Sequence, residues 1–262
     1  MHTHRVLESL RRVQAGPIYF FSDGPQDPKD VKLVDQTRAL FNEIDWTTAR
    51  QVFSTQHRGL RQSIIRATDA ILGSHPTVIV LEDDCVVGPF FIDFMEECFA
   101  RYRDVEAVMS ISGYSIPISS RIRGLVWDAY FFPRISSWGW GTWKHKWTHF
   151  RRDLGSAVTE AWKNQVDLKQ GGNDVPALIE AQRKGTIDSW AINWIISVYL
   201  EGGCCVYPMD SHIENIGFDG TGTHCVSSNR FDVELARHKP TNFPGRVFFN
   251  EAIVKYFRGF YS

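Results

Sequence analysis

The chain has 262 residues, 43% of them hydrophobic and 23% charged, which is enough for one large α/β domain with its own core. Its 29 basic and 30 acidic side chains leave a net charge of -1, so there is no electrostatic reason to expect nucleic acid or an anionic membrane as the main partner. No apolar run is long enough to span a bilayer, and no apolar segment follows the basic residues Arg5, Arg11 and Arg12. The expectation is therefore a cytoplasmic protein, at most peripheral to the inner face of the membrane. The five cysteines are odd in number and follow no metal-ligand spacing, so they read as buried, reduced thiols.

In chain order, Arg5 to Val13 reads as a helix with Val6, Leu7, Leu10 and Val13 on one face. Ile18 to Phe21 is a short strand that delivers Asp23 to a turn. Asp30 to Phe41 is a second helix, Arg50 to Ser54 a short strand, and Leu60 to Leu72 a helix that His75-Pro76 breaks. The run Thr77-Val-Ile-Val-Leu81 is apolar and β-branched, as expected of a central strand covered on both faces. Pro89 to Tyr102 returns to helix, and Ala107 to Ile111 is the next strand. Trp127 to Trp147 is aromatic and loop-like around Gly139 and Gly141. Helices follow at Ser156 to Trp162, Val175 to Lys184 and Ser189 to Leu200, then a strand at Cys204 to Tyr207 and a helix at Asn250 to Phe257. Helix and strand in alternation predict a mainly parallel, Rossmann-like sheet flanked by helices, in a single domain spanning 1–262.

Glu82-Asp83-Asp84 stands at the carboxyl end of the strongest predicted strand, the edge at which open α/β sheets bind ligands. Adjacent carboxylates repel and are best tolerated beside a cation. Hard oxygen ligands suit Mg²⁺ or Mn²⁺, which binds through one or two carboxylates together with substrate phosphates. A solvated acidic turn is the alternative, and the buried strand before it with the Pro-led helix after it argue against that.

The segment from Val78 through Glu82-Asp83-Asp84 to Phe94 resembles the donor-binding strand and helix of N-acetylglucosaminyltransferase I-like glycosyltransferases, which have the GT-A fold. Asp23 is similar to that family's uracil-contacting Asp. Phe131-Phe132-Pro133 with Trp138-Gly139-Trp140 looks like its aromatic acceptor-side loop, and Asp188-Ser189-Trp190 is similar to its Asp-Asp-Trp. The resemblance spans residues 5 to 224. It implies a metal-dependent, inverting transfer from a UDP-sugar to a glycan or glycolipid hydroxyl, with residues 1–110 as the nucleotide-binding half and 111–262 as the acceptor-binding half. Under it Asp84 is the direct metal ligand, Glu82 and Asp83 contact the ribose or sugar, and Asp188 is the base. Two departures stand out. The chain starts at the loop that would follow the family's first strand, so that strand is expected to be lacking, and Asp188-Ser189-Trp190 carries one acid of the motif's two.

Outside the motif, Trp138 and Trp140 flank Gly139 and read equally as a sugar-stacking acceptor wall or as core. In the loop from Glu214 to His224 three glycines let backbone amides approach a diphosphate. There His224 is a second candidate metal ligand or phosphate contact, Asp219 a polar acceptor contact, and Glu214 a fallback base. Arg58, with Arg61 behind it, is placed to pair with a diphosphate. Competing readings are a sugar nucleotidyltransferase, whose Gly- and base-rich loop the sequence lacks, and a non-catalytic nucleotide-sugar-binding module.

Overall fold

The computed structural model describes residues 2–118, 126–220 and 228–261. In chain order the elements are α1 (His2–Arg12), β1 (Ile18–Ser22), α2 (Val31–Ala39), β2 (Ala49–Phe53), α3 (Leu60–Ser74), β3 (Thr77–Val80), β4 (Cys85–Val87), α4 (Phe91–Tyr102), β5 (Val108–Ser112), β6 (Ala129–Phe132), β7 (Trp140–Trp143), α5 (Lys144–Trp147), α6 (Leu154–Lys163), α7 (Val175–Arg183), α8 (Trp190–Leu200), β8 (Cys204–Pro208), β9 (Ile213–Asn215) and α9 (Glu251–Phe260).

Local chemistry sets the boundaries. Gly59 has φ of +81°, a conformation that other residues resist, and α3 starts immediately after it. The helix stops at His75, which is extended because Pro76 follows. The Asp153 side chain accepts from the Ser156 N–H at the start of α6, and Asn250 caps α9 through the N–H groups of Ala252 and Ile253.

The architecture is mixed α/β, with a five-stranded sheet in the order β3-β7-β5-β8-β6 flanked by helices. The expectation of a mainly parallel sheet is corrected here. Only β5 and β8 pair in parallel, while β3–β7, β5–β7 and β6–β8 are antiparallel. Two further small sheets stand apart, parallel β1–β2 and antiparallel β4–β9. A second correction concerns β3. It pairs with β7 alone and forms an edge of its sheet, with only Val78 of its four residues buried. A third concerns Trp127 to Trp147, which holds two core strands rather than a loop. Phe131 and Phe132 lie in β6 and are 1% and 0% exposed.

The helix α3 positions the site. It begins beside Asp23, whose carboxylate accepts from the Gly59 N–H, and ends where His75 meets the Tyr19 ring edge-on at 5.5 Å. It thus runs back along β1, from its carboxyl end to its start, and then feeds β3. Both strands therefore deliver their carboxyl ends to the same edge, one bringing Asp23 and the other Glu82 to Asp84. Beneath that edge lies an aromatic core in which Trp140 stacks on Trp190 at 4.5 Å and Trp147 contacts Trp194 at 5.1 Å and Phe150 at 4.3 Å. Large buried rings of this kind contribute much of a core's apolar area.

Candidate functional site

Asp23 is already fully engaged. Its carboxylate accepts from the main-chain N–H of Gly24 at 3.0 Å, of Arg58 at 2.9 Å and of Gly59 at 2.8 Å, and His57 Nδ1 lies 3.2 Å away. Charge-assisted bonds of this kind fasten the start of α3 to the end of β1. Arg38 closes the same corner, donating to the carbonyls of Asp23 at 3.0 Å and Ser54 at 2.6 Å. The contribution of Arg58 is its backbone. Its guanidinium Nε donates to Ser54 Oγ at 3.2 Å.

The acid cluster is differently placed. Burial, and then the neighbouring Asp84 and Asp83 charges, push Glu82 up to about 8, partly offset by a hydrogen bond from the Trp190 side chain. Burial and like charge thus both favour its protonated form. Asp84 is raised as well, by burial first and Asp83 second, with hydrogen bonds from Cys85 and Asn215 acting the other way. Asp83 is exposed. The loop after β9 closes on Asp84: the Ile216 N–H donates to the Asp84 carbonyl at 2.9 Å. Gly217 lies so close that a Cβ there would stand 2.3 Å from Asp84 Oδ2, so a larger residue would have to displace that carboxylate.

Trp190 links this cluster to Asp188 two residues before it. Asp188 is exposed, its side chain at 60%, and its Oδ1 stands 3.7 Å from Arg61 Nη1. Its Oδ2 would lie 3.7 Å from a Cβ on Gly59, so it faces the corner that Asp23 holds. Arg61 also donates to the Arg152 carbonyl at 3.3 Å, and its buried Nε has no partner among the described residues. Asp23, Arg58, Asp188 and the acids Glu82 to Asp84 thus gather at one edge.

Other expected residues divide. Trp140 is 0% exposed and stacked on Trp190, so it is core and unavailable to an acceptor sugar. Trp138 is half-buried, with Tyr114 at 4.6 Å, Phe231 at 5.3 Å and Phe218 at 5.5 Å. In β9 it is Asn215 that reaches Asp84. Successive strand side chains point to opposite faces, which turns Glu214 away from that carboxylate. Asp219 meets His2 Nε2 at 2.9 Å. His224 lies outside the described residues. Asn215, Arg61 and Trp190 complete the edge without having been singled out for these contacts.

Among the described residues no group of three or more His, Cys, Asp or Glu side chains comes together to hold a metal ion. The chemistry at Asp84 nevertheless suits one. Two neighbouring acids are driven toward protonation by burial and mutual repulsion, and a cation relieves both. Asp84, with Asp83 beside it, would hold such an ion, and phosphate and water oxygens would complete its shell.

No protein-family model matches this chain, and no curated protein matches it. No helix among the described residues is long and apolar enough to cross a membrane.

Proposed function

We propose that this chain is a metal-dependent glycosyltransferase with a GT-A-like site, moving a hexosyl or N-acetylhexosaminyl group from a UDP-sugar to a glycan or glycolipid hydroxyl. The observation that supports this most is the acid cluster itself. Glu82, Asp83 and Asp84 sit at a strand's carboxyl end, where burial and like charge raise Glu82 and Asp84, next to Gly217, whose missing side chain leaves the Asp84 carboxylate room. A bound Mn²⁺ or Mg²⁺ would supply neutralisation of the diphosphate leaving group.

The residues of the chain take the other parts. Glu82 and Asp83 contact the ribose or sugar hydroxyls. Asp188 accepts the proton of the acceptor hydroxyl as its oxygen bonds to the anomeric carbon. The bond from that carbon to the diphosphate breaks, and the nucleotide leaves with the electron pair, inverting the centre. Trp138 is the aromatic face offered to the acceptor.

One experiment tests the reading: incubation with UDP-sugars, Mn²⁺ and an acceptor mixture, followed by measurement of UDP release. Release by the parent, lost by at least about a hundredfold in Asp84→Ala, is the expected result. Asp188→Asn is expected to retain donor binding while losing transfer. Neither binding nor release by folded parent protein overturns the proposal. Donor binding without turnover points instead to a nucleotide-sugar-binding module.

A further inference from the structure

The even charge balance of the chain hides a local excess near its carboxyl end. The inner face of α9 is occupied. Ile253 is 0% exposed, and Phe257 packs against Phe132 at 4.2 Å, Tyr207 at 5.5 Å and Tyr130 at 5.9 Å. The outer face carries Glu251, Lys255 and Arg258, spaced by helical turns and exposed. Phe249, Glu251, Val254, Lys255 and Arg258 line a shallow pocket of about 470 Å³. In the exposed run leading to the helix, Arg246 is followed by Phe248 and Phe249, 38% and 48% exposed.

Two features set this surface apart. Adjacent phenylalanines left in water are costly unless something covers them. Arg246, Lys255 and Arg258 also have no ion-pair partner among the described residues; exposed cations elsewhere, such as Lys32 and Lys163, share that, but here three of them fall in the one stretch that carries the exposed rings. Rings flanked by three uncompensated cations, with Glu251 the one acid lining the pocket, match a surface that is negative at its face and apolar beneath. A free phosphate or nucleotide would use the cations and leave Phe248 and Phe249 uncovered.

We propose that this face, Arg246 to Arg258, docks on an anionic phospholipid bilayer. Phe248 and Phe249 enter the headgroup boundary, and Arg246, Lys255 and Arg258 sit at the phosphate level. Such binding does not depend on the glycosyltransferase reading, although the two would fit together. At its other end, roughly 15 Å along the helix, Phe260 touches Phe231 at 5.7 Å, and Phe231 touches Trp138. A docked chain would therefore hold that rim close to a lipid-borne acceptor.

The test is co-sedimentation with vesicles of phosphatidylcholine, alone or mixed with phosphatidylglycerol. The parent is expected to pellet with the mixed vesicles at low salt, to be released as salt rises, and to stay in solution with phosphatidylcholine alone. Lys255→Glu/Arg258→Glu and Phe248→Ser/Phe249→Ser are each expected to weaken partitioning by at least about tenfold with unchanged circular dichroism. Should either pair fail to fold, Arg246→Glu replaces it and is expected to weaken partitioning several-fold. Equal pelleting on neutral vesicles, undiminished binding by charge-reversed protein, or a parent that stays in solution at low salt overturns the proposal. A parent dimer that Phe248→Ser/Phe249→Ser dissolves, without vesicle binding, assigns the face to a second copy instead and equally overturns it.

Discussion

Two acidic corners meet at the candidate site, and they are built on opposite principles. At Asp23 the protein supplies the donors itself: three main-chain N–H groups converge on one carboxylate, with His57 alongside. At Glu82 to Asp84 it supplies burial and like charge, and both Glu82 and Asp84 are driven toward their protonated forms. A carboxylate with its bonds complete holds structure. One left short of positive charge has capacity for a ligand. The contrast separates residues that the sequence alone presents alike, as aspartates at the ends of strands.

Asp23→Ala tests the structural half and has the largest expected effect on stability. It leaves the Arg58 and Gly59 N–H groups without their acceptor, which costs about 2–3 kcal/mol. Thermal denaturation should show a fall of roughly 5–10 °C. An unchanged midpoint would remove the distinction drawn between the two corners.

Glu82 sharpens the other half through pH. Its folded-state value of about 8 lies above the ordinary 4.5, so the native state holds a proton that the unfolded chain releases. That contribution is fully present below pH 4.5 and is lost as pH rises through about 8. The slope reaches at most about 1.4 kcal/mol per pH unit. Glu82→Gln should flatten this decline in denaturant melts taken across the range, and an identical slope in both proteins would contradict the assignment.

Asp84→Asn removes a charge that burial and Asp83 oppose, so stability should hold or rise by up to about 1 kcal/mol in urea titrations, the reverse of the Asp23 result. A loss comparable with that of Asp23→Ala would mean that Asp84 too is structural. Smallest of all, Arg58→Ala should change stability by no more than about 0.5 kcal/mol, because its N–H rather than its guanidinium holds Asp23.

Helices were read well because their apolar period is local. α3, α7 and α8 fall within two residues of the expected bounds. Strands of three or four residues were not. β4 and β9 carry too few alternations to register, and Trp140-Gly-Thr-Trp143 shows no period of two. Strand direction failed for a different reason. Nothing in β7 itself records that it will slip antiparallel between β3 and β5, since that choice belongs to the chain as a whole. The acid cluster was legible because a β-branched run ends in like charges. Asn215 was not, nor was the contact of Arg61 with Asp188, because each acts on an acid that is distant in sequence. For Trp140 the composition could not decide between wall and core, and full burial against Trp190 decides it.

The cysteines lend themselves to one further use. Cys85, Cys98, Cys204 and Cys205 are all completely buried and unpaired, and burial raises every one of their thiols. Alkylating reagents attack the thiolate, so labelling of these four must wait for the fold to open. Because Cys85 Sγ touches Asp84 Oδ1, its labelling rate is a native stopwatch for openings at that corner, one that a bound nucleotide would slow while leaving Cys98, farther along α4, as the internal reference.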